Sequence, residues 1–297
     1  MKPFPKKGKT MKTAIIGRFV VLAMMAGIGF NAAAFSVCAV GDSITQGGTA
    51  FTAHRVALEK EFKALGWIVE WKGTRQNASW RSTNPCEGYS GQNAEYIAGQ
   101  YEDHASLVAA DILLLHAGHN YNCGDAKLSP AVRTTADIVA EATNSHARII
   151  AAARAQNPNV AILYAKVITS GGDRALKYSY IPALNTAIGA LGAELNTEVS
   201  PVVVVDMADG WDYATDCVSD CVHPTATGAA KMAAKWMTAI KALHDAGMIS
   251  IAVNVTEDMT LPDSASYDSV TVAPNATLNL NGHKLTMRGA WSPAFSA

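Results

Sequence analysis

The feature that most constrains this fold is a short apolar run that ends in a polar turn. Residues 35–40 are long enough for one buried strand, and Gly41, Asp42 and Ser43 break it sharply. Open α/β sheets carry ligands and chemistry just outside the carboxyl ends of their strands. The run therefore predicts that Ser43 lies where such a sheet has its functional groups.

Strand and helix patterns alternate along most of the chain, which predicts a doubly wound α/β sheet. The clearest strand is 111–116, whose continuous apolar run is typical of a parallel sheet buried on both faces. Further strands are predicted at 67–71, 160–167 and 202–205. Helices are predicted at 50–65, 93–101, 130–155, 178–195 and from Pro224 to His244, and the polar stretch 73–92 is predicted to be a loop.

The last fifty residues, 248–297, have a different composition. Short alternating runs at 249–255, 269–273 and 277–285 are split by Pro, Asn and Gly, which predicts strands without helices. The part from 279 to 286 is similar to the opening turns of secreted β-helices, although a full solenoid needs more repeats. A small β appendage, the start of a β-helix-like domain and a partly ordered tail all remain open.

The first 34 residues have the pattern of a secretory signal peptide. Basic residues come first, a mostly apolar stretch follows, and three alanines precede Phe35. The uninterrupted apolar part, 19–30, is too short to span a bilayer comfortably. We therefore expect a secreted or periplasmic protein without a stable membrane anchor after cleavage.

The charge balance argues against a nucleic-acid-binding protein. The formal net charge of -1 includes six basic residues within 1–34, so the rest of the chain is acidic. Phosphate contacts need clustered Lys and Arg, and no such cluster follows residue 34. The sequence does not predict the oligomeric state.

Three further polar blocks follow the first turn at 41–47. They are Glu-Gly-Tyr-Ser-Gly at 87–91, Gly-His-Asn at 118–120 and Asp-Cys-Val-His-Pro at 220–224. In this order the four blocks resemble those of the SGNH/GDSL hydrolase family, and most of all its carbohydrate O-acetyl esterases. The resemblance covers 35–247 and implies a three-layer α/β/α sandwich with a central parallel sheet, the flavodoxin-like SGNH hydrolase fold. It also implies ester hydrolysis that needs no cofactor.

A Ser-His-Asp set is the chemistry that these blocks predict. A serine hydroxyl is a weak nucleophile unless a base lies within hydrogen-bond reach and a third group orients that base. Ser43 is the candidate nucleophile and His223 the candidate base. Asp220 lies three residues before His223, so one loop can present both groups.

The resemblance also implies an oxyanion hole. Its donors are the backbone N–H groups of Ser43 and Gly91 and the side-chain amide of Asn120. Glycine lets the backbone approach a ligand closely, and asparagine offers two uncharged donors. Gly88 is a rival glycine within the same block.

The third block departs from the family pattern. Many members carry Gly-Thr-Asn-Asp there, whereas His119 and Tyr121 flank Asn120 in this chain. We expect these two side chains to shape the substrate pocket together with Asp42. The fourth block commonly has glycine where this chain has Cys221.

The five cysteines allow disulfides in an exported protein. Cys38 lies in the first strand and is the candidate free thiol. Cys86–Cys123 would link two loops of the site, and Cys217–Cys221 would close a small loop before the histidine. We expect at least one bridge, and the alternative is a set of buried thiols.

Two other kinds of site can be assembled from the sequence. A metal site could use His116, His119, Cys123 and His223, but no familiar ligand motif spaces them, so no metal ligand is predicted. A carbohydrate-binding module could stack sugar on aromatic side chains, here Trp71, Trp80, Tyr89 and Tyr121.

The resemblance and the signal-peptide pattern together predict a secreted serine esterase. Its substrate is expected to be an O-acetyl or other short-chain ester of a small molecule or polysaccharide. The alternatives within the family are a lysophospholipase, a thioesterase and an arylesterase.

Overall fold

The predicted parallel sheet forms in the structure, a computed structural model that describes residues 35–80 and 82–288. Its strands are β1 (Phe35–Gly41), β2 (Val69–Lys72), β3 (Arg75–Asn77), β4 (Ser82–Gly88), β5 (Ile112–His116), β6 (Ala161–Lys166) and β7 (Val202–Asp206). The order is β3-β4-β1-β5-β6-β7, and β2 also pairs with β1. This order places β1 and β5 in the middle of the sheet. All pairs are parallel except β3–β4, so the carboxyl ends of β1 and β5 lie at the same edge.

Helices cover both faces of this sheet, as the alternating pattern predicts. They are α1 (Ser43–Gln46), α2 (His54–Ala64), α3 (Ala94–His104), α4 (Thr135–Gln156), α5 (Ile181–Leu195), α6 (Tyr213–Asp216) and α7 (Ala226–Asp245). One hydrophobic core lies between the sheet and α2 with α7, and contains Trp236. The other lies under α3, α4 and α5 and contains Tyr164. The result is a three-layer α/β/α sandwich with a mostly parallel sheet.

The long helices begin later than their periodicity predicts because capping residues set their first turns. The Thr134 hydroxyl accepts the N–H of Asp137, so α4 begins at 135 rather than 130. The Thr225 hydroxyl accepts the N–H of Gly228, and α7 begins at 226 rather than 224. Helices α2 and α5 also begin a few residues after the predicted starts at 50 and 178, but neither has a side-chain cap.

The prediction that 73–92 is a loop is wrong. This stretch contains β3 and β4, which form an antiparallel pair with an irregular register at one side of the sheet. Strand β4 also adds to β1, but only through Glu87 and Gly88. A strand with so little sheet on either side needs no continuous apolar run, and it tolerates Pro85. Its polar sequence therefore lacks the apolar pattern by which a strand is predicted.

The predicted disulfides do not form, because all five thiols are free. Cys86 packs into the core beneath α2 and α7, whereas Cys123 packs against the core on the opposite face of the sheet. The Cys221 sulfur lies beside Gly172 and the carbonyl of Ser219, while Cys217 is buried. The prediction of at least one bridge is thus not supported.

The segment after α7 is ordered and β-rich over its described part. It contains β8 (Ala252–Val255), β9 (Met259–Thr260), β10 (Ala265–Tyr267), β11 (Ser269–Val272), β12 (Leu278–Asn279) and β13 (Leu285–Met287). Each of the first three pairs in parallel with one of the last three: β8 with β11, β9 with β12, and β10 with β13. Two successive coils are therefore stacked in register, as in a parallel β-helix.

This β segment packs against the sandwich through apolar residues. Val253, Leu261 and Tyr267 are buried and belong to the same core as α2 and α7. Trp67 also forms an isolated bridge with Val253. The segment thus contributes to the same hydrophobic core as α2 and α7. The domain boundary at 247 stays a prediction.

The predicted signal peptide at 1–34 lies outside the described residues. Among the helices within 35–80 and 82–288, none is both long and apolar enough to cross a membrane.

Candidate active site

The close contact of β1 and β5 at their carboxyl ends places the first block. A Cβ added to Gly41 would lie 2.1 Å from the carbonyl oxygen of His116, so only glycine fits there. The chain then turns at Asp42, whose Oδ1 accepts the N–H of Ile44 at 3.0 Å and caps α1. Ser43 is the first residue of α1 and is 6% exposed.

The structure brings together the three residues predicted to act on an ester. His223 Nε2 lies 2.8 Å from Ser43 Oγ, and His223 Nδ1 lies 2.5 Å from Asp220 Oδ2. The other carboxylate oxygen, Oδ1, accepts the backbone N–H groups of Val222 and His223, both at 2.9 Å. A single loop therefore holds the carboxylate and the imidazole in one geometry.

The environment keeps Asp220 ionised. Burial by itself raises the pKa of this carboxyl, but hydrogen bonds from the His223 ring and from the backbone of His223 and Val222 outweigh it. The net result is a pKa below the ordinary value for aspartate. A carboxylate in this position can fix the imidazole orientation and stabilise the imidazolium that forms when His223 takes a proton.

The residues predicted to supply oxyanion donors keep free N–H groups. Asn120 has a φ of 67°, and its Nδ2 donates to the carbonyl of Gln92 at 2.9 Å, which leaves one amide proton. Gly91 has a φ of 77°, and a Cβ added there would meet no atom within 4 Å. Within the described residues, the N–H groups of Ser43 and Gly91 have no backbone or side-chain acceptor. The second block is held to the first because Gln46 Oε1 accepts the N–H of Ser90 at 3.0 Å.

Two buried polar groups support the second block. Glu87 is fully buried and accepts from Thr74 at 2.7 Å and from the Tyr89 hydroxyl. The Arg55 guanidinium donates to three main-chain carbonyls, those of Thr45, Gln46 and Asn84. Buried charges of this kind are tolerated when they are fully hydrogen-bonded, and here they fix the loops around Ser43.

One residue of the site was missed by the sequence analysis. The Phe51 ring stacks on the His223 ring with centroids 4.0 Å apart and an interplanar angle of 21°. Thr52, the next residue, donates its N–H to the carbonyl of Pro224 at 3.3 Å. The loop between α1 and α2 is thus tied to the histidine loop. No motif marks Phe51, because the contact joins segments far apart in sequence.

The three residues predicted to contact substrate lie in the interior. Asp42, His119 and Tyr121 are each no more than 1% exposed. The Tyr121 ring packs edge-on against Tyr180, and Arg133 lies over its face. This geometry favours a supporting role for these side chains over direct contact with a substrate.

Of the four residues considered for a metal site, His116 and His119 lie together, whereas Cys123 and His223 do not join them. His223 is engaged with Ser43, and Cys123 lies 2.9 Å from the Thr135 hydroxyl. In the part of the chain that the structure describes, one other group has metal-like spacing: Asp42, His116 and His119, with one potential ligand atom each within 4.8 Å of the others. Of the aromatic residues considered for sugar stacking, Trp71, Tyr89 and Tyr121 are buried, and Trp80 packs partly buried against the core.

Comparison with known proteins agrees with this architecture. Residues 39–231, more than half of the chain, match the model of the GDSL-like lipase/acylhydrolase family. The chain therefore belongs to that family of hydrolases. No curated protein matches the sequence significantly.

Several solved structures share the fold at low sequence identity. An acetyl esterase mutant crystallised with acetate ion matches with a TM-score of 0.55 and 22% identity over 71% of this chain and 99% of the other. A carbohydrate esterase family 3 protein from Talaromyces cellulolyticus gives 0.54 and 24%, over 71% and 99%. A family 3 carbohydrate esterase from Clostridium thermocellum gives 0.55 and 21%, over 72% and 99%.

Proposed function

We propose that this protein is a secreted serine esterase that hydrolyses O-acetyl or other short-chain esters of carbohydrates. The observation that carries the proposal is the continuous hydrogen-bonded set from Ser43 through His223 to Asp220. Such a set activates a serine for acyl transfer. Family membership adds that the chain is a hydrolase.

In the proposed reaction, Ser43 Oγ attacks the ester carbonyl carbon while His223 Nε2 takes the hydroxyl proton. The oxyanion that forms is held by the N–H groups of Ser43 and Gly91 and by the Asn120 amide. His223 then gives its proton to the leaving alcohol, and the C–O bond breaks to leave an acyl-enzyme. Water, deprotonated by the same imidazole, releases the acid and restores Ser43.

The preference for a short acyl group and a sugar rests on the structural neighbours. Two are named carbohydrate esterases and one an acetyl esterase. The low exposure of Ser43 also favours a small acyl group over a long chain. The pattern of residues 1–34 supports export, where acetylated polysaccharides are accessible substrates.

Hydrolysis of p-nitrophenyl acetate, butyrate and octanoate by the full chain tests this proposal. We expect the acetate ester to give the highest kcat/KM and Ser43→Ala to abolish turnover. Ser90→Ala is the matched control, because this exposed serine lies in the neighbouring loop. A preference for octanoate would move the assignment towards a lipase or thioesterase. Wild-type activity in Ser43→Ala would refute the serine mechanism.

A further inference from the structure

Three buried polar side chains lie close together next to the candidate nucleophile Ser43. Asp42 and His116 are 0% exposed and His119 is 1% exposed. Asp42 Oδ2, His116 Nδ1 and His119 Nδ1 have no hydrogen-bond partner among the described residues. Folded proteins pair most buried polar atoms, so an unpaired atom on each of three neighbouring side chains needs a physical explanation.

The hydrogen bonds around the cluster assign the protons of His119. Its Nε2 lies 3.1 Å from the carbonyl oxygen of Ile168. Because a carbonyl only accepts, Nε2 carries the proton, and neutral His119 has its lone pair on Nδ1. That lone pair lies 3.8 Å from Asp42 Oδ2. Two acceptors therefore face each other in the protein interior.

A metal ion does not fit this cluster well. The N–H of Ile168 donates to His116 Nε2 at 3.4 Å, so Nε2 carries the lone pair and neutral His116 has its proton on Nδ1. That Nδ1 is the unpaired atom of His116. A nitrogen that carries a proton cannot bind a metal ion, since binding requires its lone pair. One additional proton between Asp42 Oδ2 and His119 Nδ1 would instead satisfy both acceptors.

A proton on Asp42 resolves the conflict. We propose that Asp42 is a carboxylic acid whose proton is directed at His119 Nδ1, and that this uncharged pair supports the oxyanion hole from behind. Burial raises the pKa of Asp42 to about 7 and lowers the pKa of His119 well below its ordinary value. An approach of about 1 Å would make the 3.8 Å contact a hydrogen bond.

The position of the pair gives it a role in the reaction, which rests on the proposed esterase function. Asp42 precedes Ser43, and His119 precedes Asn120, so the pair joins the two segments that supply oxyanion donors. A charged carboxylate there would repel the oxyanion in a medium of low dielectric constant. Asp42 is therefore a positioning residue, and its neutral form is the active one.

The groups around the pair do not supply a second counter-charge. Within the described residues, His119 is the one basic side chain within 4 Å of the Asp42 carboxyl. Lys177, which lies over the neighbouring Tyr178 ring, donates its ammonium to the Ser129 carbonyl at 2.7 Å. The other titratable side chains around the pair are those of His54, His116, Tyr178, Tyr180, Asp220 and His223.

Infrared difference spectroscopy of the full chain tests the protonation state without using activity. At about pH 6, the wild type minus Asp42→Asn difference should contain the C=O stretch of a protonated carboxylic acid, and the band should titrate away near neutral pH. Asp111→Asn is the matched control, because Asp111 binds Ser36 at the opposite end of β1. Carbon-13 labelling of aspartate should shift the band in the unmutated chain, so the test does not depend on the variant folding. A chain without the band would overturn the proposal.

The pH profile of ester hydrolysis tests the role. We expect kcat/KM for p-nitrophenyl acetate to fall between about pH 7 and pH 9 in the wild type and in Asp111→Asn, but not in Asp42→Asn. The ratio of Asp42→Asn to wild type should rise about tenfold across this range. An unchanged ratio, or an Asp42→Asn variant that folds but is inactive at every pH, would overturn the role. If the wild type hydrolyses no ester, the proposed function fails. The infrared result still shows whether Asp42 carries a proton.

Discussion

Two aspartate–histidine pairs flank Ser43, and their environments differ. Asp220 and His223 are partly exposed and 2.5 Å apart, and hydrogen bonds lower the pKa of Asp220. Asp42 and His119 are buried and 3.8 Å apart, and burial raises the pKa of Asp42. Hydrogen bonds to the carboxylate thus outweigh burial at Asp220, whereas burial outweighs the backbone hydrogen bonds at Asp42. The same two residue types therefore give a charged pair in one place and an uncharged pair in the other.

The comparison predicts a large difference between two matched variants. Asp220→Asn should lower kcat about 10³- to 10⁴-fold, because it removes the charge that orients and stabilises the His223 imidazolium. Asp42→Asn should lower kcat less than about tenfold near pH 6, because the amide keeps the neutral form. Steady-state kinetics on p-nitrophenyl acetate at one pH measure both. Equal losses in the two variants would show that the pairs do not differ in charge.

A second prediction concerns the donor that His119 precedes. Asn120→Ala should lower kcat about 10²- to 10³-fold with little change in KM, because one oxyanion donor is lost. Asn122→Ala is not a suitable control, since that buried side chain holds three carbonyls of the following loop. Asn93→Ala is better, because it changes a helix cap nearby. A rise in KM at constant kcat would place Asn120 in substrate binding instead.

Opposite dependences of stability on pH provide a third test. The folded-state pKa of Asp42 is raised, so its contribution to stability is complete below about pH 4 and is lost as pH rises through about 7. The pKa of Asp220 is lowered, so its contribution is present above about pH 4 and is lost as pH falls through the folded-state value.

Thermal unfolding of the two asparagine variants between about pH 2.5 and pH 8 measures these slopes. The Tm of Asp42→Asn relative to wild type should rise with pH between about 4 and 7. The Tm of Asp220→Asn relative to wild type should fall as pH rises towards about 4 and level off above it. Parallel slopes for the two variants would contradict the comparison.

The smallest predicted effect concerns the ring stacked on His223. The face of Phe51 holds the His223 ring and stabilises the imidazolium that forms during the reaction, so Phe51→Leu should reduce kcat about three-fold. Phe51→Trp should keep kcat near the wild-type value, because it retains an aromatic face at this position. Steady-state kinetics on p-nitrophenyl acetate measure both variants, and equal losses in the two would show that the stacked ring does not contribute.

The sequence was sufficient for the central fold and the order of the blocks. The apolar runs that form β1, β5 and β6 bury both faces, so their pattern is unambiguous. The polar strand β4 was missed because its neighbours, rather than its composition, make it a strand. The stacked coils after α7 could not be assigned because their strands are two to four residues long.

Sequence patterns predict the site correctly where its contacts lie within one loop, and they predict less where the contacts join several segments. The spacing of Asp220 and His223 predicts their contact, and the structure has it. Burial of Asp42 and His119 depends on the packing of β1, β5 and the segment before α5, which no local pattern reports. The cysteine predictions failed for the same reason, because the side of the sheet on which Cys86 and Cys123 lie is a tertiary property.

The most direct test of the account is covalent labelling of the full chain with a serine-directed fluorophosphonate, followed by peptide mass spectrometry. We predict one label, on Ser43, that is lost in His223→Gln and retained in His146→Gln, which removes a buried histidine bonded to Tyr164. Labelling at another serine, or labelling of Ser43 that is unaffected in His223→Gln, would contradict the assignment of Ser43 as a nucleophile activated by His223.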